Sequence, residues 1–344
     1  IMLPNLNLRT LSICVLALLF THISCVWLLA QQKEHPAMTL CKAGKHKEAR
    51  GALEIAVKTP EYKNDGEMWN CLGLAFYQGD DDKGARKAFE KAVDIQPANA
   101  VFRVNLAHVL LMNRKIDPAQ SQLKKALEID PKNPEALYLQ SLSDSWEGKI
   151  DRAIATSETL IGFHPADARG YILKADLLVS RIGLSSDSKD GTLDEAESLT
   201  KAVDVLVEGK GKVTDPSGTK AIADDLENKT IFRDYFRRER PTAITTTATP
   251  ATAEPGVTKL KVIAKQPARY TDRARQANVQ GTIRIAVLFG SNGRILHTLL
   301  LKRLGYGLDE QASSAARQIK FEPQTKDGKP ISVVRIVEYT FNIY

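Results

Sequence analysis

Residues 69–97 read WNCLGLAFYQGDDDKGARKAFEKAVDIQP, and the pattern returns 34 and 68 residues later. Trp69, Leu72, Gly73, Phe76, Ala85, Phe89, Ala92 and Pro97 are followed by Arg103, Leu106, Ala107, Leu110, Ala119, Leu123, Ala126 and Pro131. Then come Leu137, Gln140, Ser141, Asp144, Ala153, Ser157, Leu160 and Pro165, with no insertion between units. A fixed period of this length marks a repeat architecture. Gly73, Ala107 and Ser141 are small where two antiparallel helices must approach, and Ala85, Ala119 and Ala153 do the same on the second helix. Pro97, Pro131 and Pro165 close each unit, because proline cannot continue a helix.

These residues resemble the tetratricopeptide repeat. Ala37, Leu40, Ala49, Leu53 and Ala56 outline an earlier unit, and Tyr171, Ala175, Leu178, Ala196, Thr200 and Val203 a later one with a polar insertion at 185–191. The resemblance implies an all-α solenoid over 37–207, five helix pairs sharing a continuous core and offering a concave face to a protein partner that the sequence leaves unknown. Most of the apolar stripe is expected to be core. Cys41 and Cys71 fall on first helices of adjacent units, and both a disulfide and two buried thiols are open readings.

The chain of 344 residues is 43% hydrophobic, with only 36 Gly plus Pro, which excludes a wholly disordered or collagen-like protein. Its net charge of +7 is uneven. Residues 257–344 carry 15 basic and 6 acidic side chains, against 33 and 35 upstream. Such a basic piece suits an anionic partner without selecting one. No Cys or His spacing matches a zinc site, and no cofactor is expected.

Residues 11–30 read LSICVLALLFTHISCVWLLA, an uncharged run flanked by Arg9 and Lys33. Its length matches the hydrocarbon thickness of a bilayer. We expect an inner-membrane anchor with residues 1–10 in the cytoplasm and the bulk of the chain in the periplasm, with a cleaved signal peptide as the other reading. His22 is the ionisable group in that run, either bonded within its own helix beside Thr21 and Ser24 or functional. Residues 208–256 are expected to hold one capping helix, over 220–240, and then a Thr/Pro/Ala-rich tether.

In the last ninety residues, Ile283, Ile285, Val287 and Phe289 alternate with Thr282, Arg284, Ala286 and Leu288, the period of a strand with one apolar face. A turn at 290–293 and a strand over 294–304 complete a hairpin. A helix is expected over 267–278, another over 308–319 with Asp309 and Glu310 favouring its dipole, and a last strand over 332–343.

That order of elements resembles the TonB C-terminal domain. The matching residues are Ala268, Arg269 and Tyr270; Ala274 and Arg275; Val279, Gly281 and Gly293; Leu308, Asp309 and Ala312; Phe321, Glu322 and Pro323; and Gly328 and Pro330. Thr271 stands where the family often has proline. The resemblance implies a small α+β module over 257–344 that binds the TonB box of an outer-membrane TonB-dependent transporter by adding a strand to its sheet edge. It assigns the contact to Val333, Val334, Arg335, Ile336, Val337, Glu338, Tyr339, Thr340 and Phe341, flanked by Gln266 and Arg269. For Val333, Ile336 and Tyr339 core packing is the simpler role. The family couples a histidine, with a serine four residues before it, to an ExbB/ExbD motor; here His22 follows Leu18.

Two functions compete: an energy transducer supporting transmembrane transport, and a periplasmic protein-protein scaffold without energy transfer. An enzyme is not expected. Residues 209–212, GKGK, lack the spacing and hydroxyl of a phosphate loop, and no catalytic constellation stands out. A nucleic-acid partner is excluded by compartment if the anchor holds.

Overall fold

The computed structural model describes residues 35–185, 195–238 and 256–343. The expected anchor, His22 and the tether over 242–255 lie outside them. Among the described residues no helix is long and apolar enough to cross a membrane. Among the described residues, eleven helices are followed by a small domain of strands and two short helices. The chain divides into two compact units, residues 1–92 and 93–344.

The first unit holds α1 (Pro36–Lys42), α2 (His46–Ala56), α3 (Gly66–Gln78) and most of α4 (Asp82–Ile95). Ala49, Leu53, Met68, Leu72 and Ala75 form its core. A Cβ on Gly73 would stand 2.4 Å from the Phe89 ring, so only glycine permits this approach. Cys41 and Cys71 form a disulfide.

The second unit continues with α5 (Ala100–Met112), α6 (Ile116–Ile129), α7 (Pro134–Trp146), α8 (Ile150–Phe163), α9 (Ala168–Ser185), α10 (Glu195–Lys212) and α11 (Pro216–Arg238). Three devices follow the 34-residue period in the two units, the second of them skipping the unit that has Leu137 at its position. Asp65, Asn99, Asn133 and Asp167 each accept from main-chain N–H groups opening the next helix. Trp69, Arg103 and Tyr171 each donate from the side-chain tip to the carbonyl six residues earlier, of Lys63, Pro97 and Pro165. An indole, a guanidinium and a phenol therefore fill one position for one reason: each is a donor on a long apolar or planar body. Asp80, Arg114 and Gly148 supply the left-handed residue between the helices of a pair, at φ 58°, 54° and 76°.

The C-terminal domain comprises β1 (Lys261–Ala264), α12 (Asp272–Gln276), β2 (Gly281–Phe289), β3 (Ile295–Lys302), α13 (Leu308–Arg317), β4 (Lys320–Glu322), β5 (Thr325–Lys326), β6 (Lys329–Pro330) and β7 (Val333–Phe341). The main sheet is antiparallel with order β3-β2-β7; β1 pairs with β4 and β5 with β6. The first helix is much shorter than expected, five residues, because residues 265–270 run extended before the Thr271 cap. Thr271 Oγ1 accepts from Ala274 N–H at 3.1 Å and donates to the Tyr306 carbonyl at 2.7 Å.

The sheet has two apolar faces, where one was expected. Ile283, Ile285, Val287 and Phe289 pack with α13 in the domain's own core. Ala286, Leu288, Leu299, Leu301 and Val334, on the opposite face, share a core with Tyr171, Leu178, Ile222, Phe232 and Phe236 from α9 and α11. The helix expected to cap the array thus lies between α10 and the sheet.

A charged bridge crosses this junction. Lys229, 1% exposed, donates to Asp176 at 2.9 Å and to Asp225, and Arg303 reaches the other Asp176 oxygen at 2.8 Å. Burial would raise the Asp176 carboxyl, but Arg303 and then Lys229 outweigh it and hold it below the usual range. For Asp225, burial outweighs Lys229 and raises the carboxyl. A depressed carboxyl stabilises above its unfolded pKa of about 4 and loses that contribution as pH falls through the native value; a raised one does the reverse. Asp176→Asn is therefore expected to destabilise at pH 7 and progressively less below about pH 4, whereas Asp225→Asn is neutral or stabilising at pH 7. Urea unfolding across pH checks both. In the first unit, reduction of the bridge closing 30 residues is expected to cost roughly 3–4 kcal/mol by loop entropy. The check is to compare melts of the oxidised chain, the phosphine-reduced chain and a C41S/C71S variant.

Candidate peptide-docking edge

β7 pairs along its whole length with β2, from Val333 opposite Phe289 to Phe341 opposite Gly281, and no strand pairs with its other side among the described residues. The side chains follow the pleat. Val333, Val337, Tyr339 and Phe341 turn to the domain core, with Val337 only partly buried. Val334 and Ile336 turn to the array-facing core. Glu338 and Thr340 continue that second face beyond the array and are exposed. There Thr340 meets Thr282 at 3.1 Å and Glu338 lies 3.4 Å from Arg284. Arg335 is exposed and reaches Gln324 at 2.7 Å.

Three contacts identify which main-chain groups face outward. Val334 N–H donates to the Tyr235 hydroxyl at 3.0 Å, the Val334 carbonyl accepts from Arg335 at 2.8 Å, and the Glu338 carbonyl accepts from the Lys265 ammonium at 2.5 Å. Even-numbered residues therefore present N–H and C=O groups away from β2, and Ile336, Glu338 and Thr340 form the open part of the edge. This is the geometry that accepts an added strand.

All nine residues assigned to the strand are in β7. Gln266 and Arg269 are exposed on the segment after β1, and neither is tied to β7 by a hydrogen bond or ion pair among the described residues. Their neighbour Lys265 makes that contact instead, with its ammonium 4.5 Å from the Tyr339 ring centre. Neither Lys265 nor Tyr235 is singled out by the sequence pattern, although Tyr235 stands on the apolar stripe of residues 220–240. Tyr270 seats the start of the domain on the strand's end, its ring 5.6 Å from Phe341 and its hydroxyl donating to the Val279 carbonyl.

A second surface is occupied by the chain itself. Residues 303–306 lie against α5, α7 and α9: Tyr306 donates to the Leu111 carbonyl at 2.7 Å, its ring is 5.1 Å from Trp146, a Cβ on Gly305 would meet Trp146 at 3.3 Å, and Arg303 pairs with Asp176. Gly305, Tyr306 and Gly307 all have positive φ, and Asp309 holds the turn by accepting from Leu304 and Gly305 N–H groups. A cavity of about 740 Å³ beside it is lined by Tyr138, Trp146, Asp176, Thr282 and Arg303, among others. In the first unit His46 Nδ1 lies 3.3 Å from Cys41 Sγ. Both sulfurs are committed to each other there, so His46 alone retains a metal-capable donor.

Residues 266–343 match the family model described as Gram-negative bacterial TonB protein C-terminal, and residues 37–100 and 81–143 match two models of the tetratricopeptide repeat. The protein joins a helical tetratricopeptide repeat array to a TonB-type C-terminal domain. No curated protein is significantly similar in sequence. Solved structures similar to the chain include MamA, at 19% identity and a TM-score of 0.43 over 52% of this chain and 96% of that one. TTC0263, a thermophilic repeat protein of Thermus thermophilus, is 17% identical with a TM-score of 0.43 over 56% and 95%. The repeat domain of Arabidopsis OM64 is 22% identical with a TM-score of 0.32 over 33% and 93%.

Tyr339 is 5% exposed and its hydroxyl has no hydrogen-bond partner among the described residues. Burial pushes it up to about 12. An unsatisfied buried hydroxyl costs about 1–3 kcal/mol, so Tyr339→Phe is expected to leave stability unchanged or raise it by about 1 kcal/mol. Urea denaturation of the two proteins gives the answer; a clear loss of stability would show that the hydroxyl is satisfied in solution.

Proposed function

We propose that the protein is a TonB-like envelope protein whose β7 edge takes up the TonB box of an outer-membrane transporter as an added strand, in support of energy-dependent transport. The observation carrying this reading is the open edge at Ile336, Glu338 and Thr340, on a domain whose residues 266–343 match the TonB family model. Main-chain hydrogen bonds supply affinity in this mode and flanking side chains supply selectivity, with no catalytic group required. Residues 11–30 anchor the chain in the inner membrane in this reading, His22 is the point of coupling to ExbB/ExbD-type motor proteins, and the repeats recruit a further protein.

A second reading, a periplasmic scaffold without energy transfer, is favoured by the burial of one sheet face on α9 and α11. A domain seated on its own array reaches less far than one on a free tether.

A photoreactive residue in place of Glu338 or Thr340, both exposed, tests the two in intact cells. Transport predicts an adduct with an outer-membrane transporter that changes when the proton gradient is collapsed. The scaffold reading predicts adducts with other envelope proteins, indifferent to the gradient. Thr340→Pro removes an outward N–H while sparing the pairing with β2. It is expected to lower adduct yield at Glu338 at least tenfold, with Thr340→Ala unaffected; equal yields would exclude strand addition at this edge.

A further inference from the structure

We infer that Tyr235 sets the register of the docked strand by closing the Val334 position, so that the edge accepts about five residues of extended peptide, opposite Ile336 to Thr340. This rests on the strand-addition reading and adds to it a specificity-determining residue contributed by the helical array.

The Tyr235 hydroxyl stands 3.0 Å from Val334 N. A strand added to this edge places a carbonyl oxygen about 2.9 Å from that nitrogen, on a backbone about 4.8 Å away. The hydroxyl thus occupies the position of the first peptide carbonyl, and the ring behind it fills the space of the peptide backbone. The ring is fixed rather than free to swing out. It packs against the junction core and meets Phe236 edge-on at 5.8 Å. Its helix is pinned beneath by Lys229, bonded to Asp176 of α9, and by Asn228, which donates to the Thr298 carbonyl of β3 at 3.0 Å. On the outer side the Val334 carbonyl is also taken, by Arg335.

The other protected group differs in kind. Lys265 is exposed, on a flexible stem, and its bond to the Glu338 carbonyl is the sort a peptide N–H displaces at little cost. Val334 is closed by a partly buried ring packed on the junction core, and Glu338 by an exposed cation on a flexible stem. The usable edge therefore begins at Ile336. Side chains alternate at a period of two along the strand, so three outward residues correspond to a docked segment of about five.

The test uses the full chain in detergent and synthetic peptides from the plug segment of a TonB-dependent transporter. One peptide has five residues, and two have seven, extended at either end. Wild type is expected to bind all three within twofold, and Tyr235→Ala to bind one seven-residue peptide five- to tenfold tighter than the five-residue one. Amide hydrogen exchange at Val334 reads the cap without any peptide. Tyr235→Phe, which keeps the ring, is expected to speed it at least tenfold while β2 amides stay unchanged. A seven-residue peptide that binds wild type tightly and protects Val334 overturns the inference, and so does exchange at Val334 unaffected by Tyr235→Phe. If no peptide binds either protein, strand addition itself fails. The exchange result then still decides whether Tyr235 caps the edge.

Discussion

The arrangement of the second unit depends on burying the second face of a three-stranded sheet. Ala286, Leu288, Leu299, Leu301 and Val334 stand on the side opposite the domain's own core, and water is excluded from them only because α9 and α11 lie across them. A fully buried aliphatic side chain contributes about 1.5–3 kcal/mol, so this set favours docking strongly. That constraint orients β7, brings Tyr235 to its edge, and leaves Glu338 and Thr340 beyond the helices' reach. Asp176 adds geometry rather than much energy. A buried ion pair gains little over apolar contacts, but Asp176 accepts at once from Lys229 and Arg303 and so penalises any other register of sheet on helices.

The repeat period has local physical causes beyond helix packing. A capping carboxylate or amide satisfies N–H groups that every helix start leaves open. A donor at the first signature position ties the helix to the carbonyl six residues before it. A left-handed residue reverses the chain between paired helices, at a cost for Asp80 and Arg114 that Gly148 avoids. Because these devices sit at fixed offsets, the three units from Trp69 to Pro165 keep one spacing without insertion, while the donor position itself tolerates exchange of Trp69 for Arg103 or Tyr171.

Legibility followed from how local each cause is. The repeats were readable because small and apolar residues recur at one period. The caps do not stand out in the sequence because they are Asp at 65 and 167 but Asn at 99 and 133, outside the signature. In the C-terminal domain β2, β3, α13 and β7 fall within two residues of their expected ends. The helix expected over 267–278 was too long, since its first half is extended chain. Strand β1 has no counterpart in the sequence pattern: Val262 is 48% and Ile263 60% exposed, so no alternation of burial marks it. The alternation predicts one apolar face, yet on the second side Ala286 and Leu288 follow Thr282 and Arg284 and are buried. Their apolar character makes sense only with a partner distant in sequence. The same holds for the candidate site. β7 was identifiable as a strand, but its outward groups, Lys265 and Tyr235 are properties of the assembled unit.

An exposed edge strand is a hazard to its own protein, since any extended chain can pair with it. Many proteins blunt such edges with charge or cover them completely. Here Lys265, Arg335 and Glu338 place charge along the edge, and the Tyr235 ring covers one end. The middle stays open and is held in a fixed twist by the packed face beneath it. Rigidity in the free state lowers the ordering cost of association. In the proposed strand addition, a few main-chain hydrogen bonds, each worth about 0.5–1.5 kcal/mol net, would then suffice for reversible capture of a short peptide. Opening the whole edge requires moving α11, and with it the Lys229 to Asp176 contact. The array is therefore more than a spacer: the helices that bury one face of the sheet also determine how much of its edge is available.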